Sequence, residues 1–217
     1  MKIWRAEDVR GLYYTPVPGQ SRYGYAVSDT EDFDEVPAWA ARGGYQGATI
    51  RFLDYETGKV YVPFEKKRDV TYGRPVSQEG KLYFLQGDFG RGEVRLFAYL
   101  PGEEPEEACV LAVSEVDLYN LQAVPGDVVR VVSQGKSLCG YWPERFEVPL
   151  EPNETVEFIE KDRIWLSAWV EEGLCGEQIT DKYRYYETLV VKDYDGQVIS
   201  RETGCLTFDP LGRLWLG

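Results

Sequence analysis

Residues 79–100 read EGKLYFLQGDFGRGEVRLFAYL, and this stretch decides how the chain folds. It holds two apolar runs, Lys81–Gln86 and Glu93–Leu100, dense in Leu, Val, Phe and Tyr. Such side chains suit a pleated, half-buried surface, so both runs read as strands. Each is preceded by a short turn, Glu79-Gly80 or Arg91-Gly92, in which Gly supplies the positive φ of a tight hairpin. Strands joined this closely return antiparallel, because a parallel return needs a crossover of a dozen residues or more.

The same grammar continues outward. Strands are expected at Thr49–Asp54, Lys59–Phe64, Ala108–Ser114, Asp127–Ser133, Arg145–Pro149, Thr155–Ile159, Arg163–Val170, Tyr183–Lys192, Gln197–Thr203 and Arg213–Leu216. Gly11–Thr15 and Tyr23–Ser28 carry weaker versions of the pattern. Turns are expected at Glu56-Thr57-Gly58, Pro125-Gly126 and Asp195-Gly196. Helix is expected only in short pieces, Glu35–Arg42 and Glu115–Leu121. Neither can serve as the crossover of a βαβ unit, so a parallel α/β sheet is excluded. Residues 1–217 are therefore expected to form one β-rich domain. Within it, 16–47 is expected to be a long loop or excursion carrying Asp29, Glu31, Asp32, Asp34 and Glu35.

A local pattern recurs: Gly58-Lys59-Val60-Tyr61, Gly80-Lys81-Leu82-Tyr83, Gly92-Glu93-Val94-Arg95, Gly196-Gln197-Val198-Ile199 and Gly212-Arg213-Leu214-Trp215. Its physical content is a turn, a solvent-facing residue and a core residue, which any hairpin needs. Near the end, Asp209-Pro210-Leu211-Gly212-Arg213-Leu214-Trp215 resembles the Asp…Gly-x-Leu-Trp blade motif of bacterial β-propellers, and Ser77–Phe84 is a looser copy. At about 40–45 residues a blade, 217 residues hold roughly 4.8 blades. The resemblance implies an all-β, antiparallel fold, a small irregular propeller of four to five blades. A β-sandwich or an open barrel is the alternative.

Composition narrows the function. Against 24 Lys and Arg stand 37 Asp and Glu, a net charge of −13. A field of that sign repels phosphate backbones, so no nucleic acid is expected as a partner. With no histidine in the chain, Ser-His-Asp and Cys-His catalysis and His-ligated metals are excluded. Neither G-x-x-x-x-G-K-[ST] nor G-x-G-x-x-G occurs. No cofactor, metal or membrane association is expected. Cys109, Cys139, Cys175 and Cys205 form no C-x-x-C pair and read as buried thiols. Met1–Asp8 shows no apolar leader, so a cytoplasmic location is expected.

Aromatic residues are the distinctive feature, with 6 Trp, 16 Tyr and 9 Phe. Trp165 and Trp169 lie at even spacing on one strand and point to one face. Tyr183 and Tyr185 share a face, and Tyr186 points the other way. Between these strands, Gly173–Lys182 reads as a mobile loop. Trp165, Trp169, Tyr183, Tyr185 and Tyr186 are thus the candidate binding residues, able to anchor a protein or stack on a sugar. Among acids, Asp54, Asp88 and Glu187 sit beside large apolar residues and read as strand-edge or solvated groups. No catalytic residue is assigned. The expected function is a non-enzymatic interaction module for a protein partner. The alternative is a carbohydrate-binding or carboxylate-based glycoside-processing protein.

Overall fold

The structure is a computed structural model and describes residues 2–176 and 178–217. Among the described residues the strands form five antiparallel sheets, each built from one continuous stretch of chain. The first contains β1 (Thr15–Pro16), β2 (Tyr23–Val27), β3 (Ile50–Asp54) and β4 (Val60–Tyr61). The second contains β5 (Val70–Tyr72), β6 (Val76–Gln78), β7 (Lys81–Asp88), β8 (Glu93–Tyr99) and β9 (Glu106–Ala112). The third contains β10 (Gln122–Val124), β11 (Arg130–Gln134), β12 (Ser137–Trp142) and β13 (Phe146–Pro149). The fourth contains β14 (Glu154–Ile159), β15 (Ile164–Cys175), β16 (Gln178–Lys192) and β17 (Val198–Thr203). The fifth is β18 (Leu206–Phe208) with β19 (Leu214–Leu216).

Chain neighbours are sheet neighbours, the order that short Gly turns impose. The second sheet departs from it in one place. There β5 and β6 both pair with β7, opposite residues 86–88 and 81–83. They are two halves of one first strand, interrupted at Gly73-Arg74-Pro75, where Pro75 has no N–H for the ladder.

Alternation along the strands sends apolar side chains to both faces of the inner sheets. Tyr25, Ile50 and Phe52 of the first sheet pack against Tyr72, Leu82, Phe84 and Tyr99 of the second. Leu85, Val94 and Leu96, on the second sheet, pack against Ala123 and Val131 of the third. Val132, Leu138 and Val148 of the third pack against Val156, Ile164, Leu166 and Val190 of the fourth. Each core thus lies between two sheets that are consecutive in the chain. The fifth sheet reaches back to the first: a Cβ on Gly212 would lie 2.6 Å from the Cα of Gln20, and Gly212 holds φ +77°.

Several expectations are corrected. Glu115–Leu121 is not helical; a single 3-10 turn covers Val113–Glu115. Side chains occupy the backbone groups a helix would use. The Tyr141 hydroxyl accepts from the Asp117 N–H, and Asp117 Oδ1 accepts from the Tyr119 N–H. Of Gly11–Thr15 only Thr15 joins a strand. Within 16–47 the expected strand and helix are present as β2 and α1 (Val36–Ala41), and Phe33 from this segment is buried against the second core. Asp54 and Asp88 are neither solvated nor free. Asp54 is fully buried, takes Arg22 Nη2 at 2.8 Å and accepts the Glu56 N–H, closing the β3–β4 turn. Asp88 is buried beside Lys67 and Arg91. The four cysteines are free thiols, but none is fully buried: Cys109, Cys139 and Cys205 are partly buried and Cys175 is exposed. Among the described residues no helix is long and apolar enough to cross a membrane.

Candidate functional site

Strands β6, β10, β14 and β18, with the turn that follows β1, meet at one pocket of about 700 Å³. Its wall includes Gly19 after β1, Val76 and Ser77 of β6, Gln122 and Val124 of β10, Val156 and Phe158 of β14, and Leu206 and Phe208 of β18. A volume of this order accommodates a small organic ligand. One rim is fixed by Gly126. A Cβ there would fall 1.6 Å from the Ile159 carbonyl oxygen, so only Gly lets the β10–β11 turn lie against the end of β14. The Ile159 N–H donates to the Pro125 carbonyl at 3.0 Å and completes that junction.

The charged residues of the pocket are Arg74, Asp127, Glu157 and Glu160. Asp127 is committed to the buried Arg130, whose Nη1 donates to its Oδ1 at 2.5 Å; that bond holds the Asp127 carboxyl below the usual range. Arg130 also donates to Glu144 at 2.8 Å and to the Ile159 carbonyl at 3.0 Å. Glu160 Oε2 accepts the indole N–H of Trp165 at 3.0 Å.

Glu157 is different. The β14–β15 register runs Val156↔Leu166 and then Phe158↔Trp165, which leaves Glu157 as the extra residue of a β-bulge. A bulge re-aims a side chain, and here it places Glu157 in the pocket wall. Burial pushes its carboxyl above the usual range. The Glu187 charge adds to that shift, and the Ser167 hydroxyl opposes it. Ionised Glu157 is penalised in the folded state, so its contribution falls as pH rises through its folded value. Glu157→Gln is therefore expected to raise the melting temperature at pH 7 and to leave it unchanged at pH 3.5. Melting both proteins at both pH values checks this. A variant less stable than wild type at pH 7 would show that the carboxylate is stabilised where it stands.

The aromatic candidates divide between two places. Leu166 and Ala168 face the third core, so Trp165, Ser167 and Trp169 lie on the other side of β15. Residues directly opposite in an antiparallel ladder share a face. Trp169↔Glu187 and Glu171↔Tyr185 therefore put Tyr183 and Tyr185 on the tryptophan side, with Tyr186 opposite Val170 on the reverse. Trp165 stacks on Phe158 at 5.0 Å between ring centroids, with 22° between planes, and so backs the pocket wall. Trp169 is 45% exposed and Tyr185 56%. The Tyr183 hydroxyl donates to Glu171 at 2.6 Å, and that of Tyr186 donates to Glu172 at 2.8 Å.

Gly173–Lys182 is not a loop. β15 and β16 continue through it with Leu174↔Ile179 and Cys175↔Gln178 paired, after a register shift between Glu172 and Leu174. Gly173 takes φ +76°, and a Cβ on it would fall 2.4 Å from the Lys182 carbonyl oxygen, so Gly lets the strands stay together across the irregularity. β14 accompanies β15 only to Ala168, and β17 accompanies β16 only from Thr188. Beyond these points the hairpin is a two-stranded ribbon, roughly 23 Å long at ~3.3 Å per residue. Compared with known proteins, the chain matches no family model, no curated protein and no solved structure.

Proposed function

We propose that the five sheets are the blades of a small, irregular propeller and that the protein is a non-enzymatic binding module whose protein partner docks on the β15–β16 ribbon. The propeller reading is supported by the chain-ordered meanders, by cores that each join consecutive sheets, and by one pocket that residues from all five sheets or the turns beside them share.

The ribbon itself carries the functional reading. It exposes Trp169, Leu174, Ile179 and Tyr185 on strands that have no third strand beside them. A lone two-stranded hairpin is marginal in water, and covering these side chains offsets that cost. Trp and Tyr are the residues most often responsible for interface energy. The net charge of −13 favours a basic partner and makes association sensitive to salt.

The double variant Trp169→Ala/Tyr185→Ala tests the proposal. Both side chains are substantially exposed, so its melting temperature is expected to stay within a few degrees of wild type. Loss of a hot spot of about 2 kcal/mol or more weakens binding roughly thirtyfold. Affinity capture with both proteins should show one basic protein held by the wild type and lost from the variant. Equal recovery from both would remove the ribbon from the interface.

The carbohydrate-directed alternative draws on the pocket, where an aromatic pair, Phe158 on Trp165, stands beside carboxyl groups. It calls for a thermal shift of several degrees with one class of oligosaccharide at 100 times its Kd.

A further inference from the structure

The pocket holds a charge arrangement that the ribbon does not use. Three of its charged residues are acids, and two of these are already engaged. Asp127 pairs with Arg130; Glu160 takes the Trp165 N–H and lies 3.7 Å from Arg163 Nε. Arg74, the single cation of the wall among the described residues, points toward Glu31 at 4.0 Å. The charged group acting on the Glu157 carboxyl is another acid, Glu187, and the group that favours its ionised form is the neutral Ser167 hydroxyl. Beside Glu157 in sequence and in the wall is Phe158, whose ring is held flat by Trp165 behind it. Val76, Val124, Leu206 and Phe208 give the wall an apolar part, beside the polar Ser77, Gln122 and Thr155.

We propose that this pocket binds an organic cation, an alkylammonium or alkylguanidinium, with its charged head between the Glu157 carboxylate and the Phe158 ring and its alkyl body on the apolar wall. Each part of the ligand answers a feature of the site. A cation meets an uncompensated carboxyl group and the negative face of an aromatic ring. An anion meets three acids. A bare metal ion lacks ligands, because among the described residues no three Cys, Asp or Glu groups come together to hold one. An apolar body removes water from the pocket and strengthens the charge contact.

The probes are n-butylammonium, n-butylguanidinium, neutral n-butanol and a neutral oligosaccharide series, followed by calorimetry and by Trp fluorescence. The two cations are expected to bind saturably, at least tenfold more tightly than butanol. Glu157→Gln should weaken the cations at least tenfold and leave butanol unchanged. Phe158→Leu should weaken the cations severalfold as a second, independent variant. A cation favours ionised Glu157, so binding should release protons and tighten as pH rises through its titration. Glu187, Glu160, Asp127 and Arg74 are the other charged groups at the site, and they remain in Glu157→Gln. That variant should therefore lose the pH dependence that belongs to residue 157. Equal affinity of butanol and butylammonium, undiminished cation binding by Glu157→Gln, no saturable cation binding, or binding of oligosaccharide without cation would each overturn the proposal.

Discussion

Phe84→Ala is expected to lower the stability of the folded protein by about 3–5 kcal/mol and the melting temperature by roughly 6–20 °C. Phe84 is fully buried in the middle of β7. Its ring lies 5.5 Å from Phe52, 5.9 Å from Phe97, and 6.2–6.3 Å from Phe64, Tyr72 and Tyr99. These rings come from the first two sheets and the segment between them, so truncation opens a cavity where two sheets meet. A packed interior relaxes only partly around such a gap, and the cost exceeds the transfer energy of the lost ring. Urea unfolding of the variant measures it. A loss under 1 kcal/mol would mean that the two sheets are not held together at this core.

Lys192→Met is expected to cost a similar amount, about 3–5 kcal/mol, for an electrostatic reason. Lys192 and Glu154 are both almost completely buried, and the ammonium lies 2.5 Å from Glu154 Oε2. Lys192 also donates to the Pro149 carbonyl at 3.4 Å, and Glu154 Oε2 accepts the Glu151 N–H at 2.9 Å. The other oxygen, Oε1, is buried without a hydrogen-bond partner among the described residues. Removing the lysine leaves a buried carboxylate with no counter-charge, whereas removing both charges does not. Glu154→Gln/Lys192→Met should therefore recover most of the loss. If the single variant is as stable as the double, the pair is solvated and carries no such weight.

What the sequence displayed was local. The Glu79-Gly80 turn is an example. Gln78 pairs with Lys81, and the two turn residues hold φ of 50° and 79°, the double positive φ of a two-residue hairpin that Gly makes accessible. Long strands such as β7, β8, β15 and β16 stood out through their aromatic and β-branched content. Of the strands at the pocket, β14 stood out in the same way, as Thr155–Ile159. β6, β10 and β18 have three residues each, too few for alternation to show, and β6 is cut off from β5 by Gly73 and Pro75. β12 was hidden because Cys139-Gly140 interrupts its pattern. The pocket, which needs those short strands beside β14, was consequently invisible.

The site residues show the same division. Even spacing places Trp165 with Trp169, and Tyr183 with Tyr185, on one face, and the ladder register agrees. That Trp165 backs the pocket while Trp169 stands on a free ribbon depends on where β14 and β17 stop pairing, which no spacing within one strand encodes. Glu157 carried no signal either. Its place in the wall comes from a bulge, and a bulge is a relation between two strands.

Hydroxyl-radical footprinting of the protein alone and in complex with its captured partner decides whether the partner sits on the ribbon. Strong protection of Trp169, Leu174, Ile179 and Tyr185 is expected in the complex, with the exposed Trp215 and Tyr13 unchanged. Unaltered reactivity along the ribbon, with protection elsewhere, would place the partner on another surface.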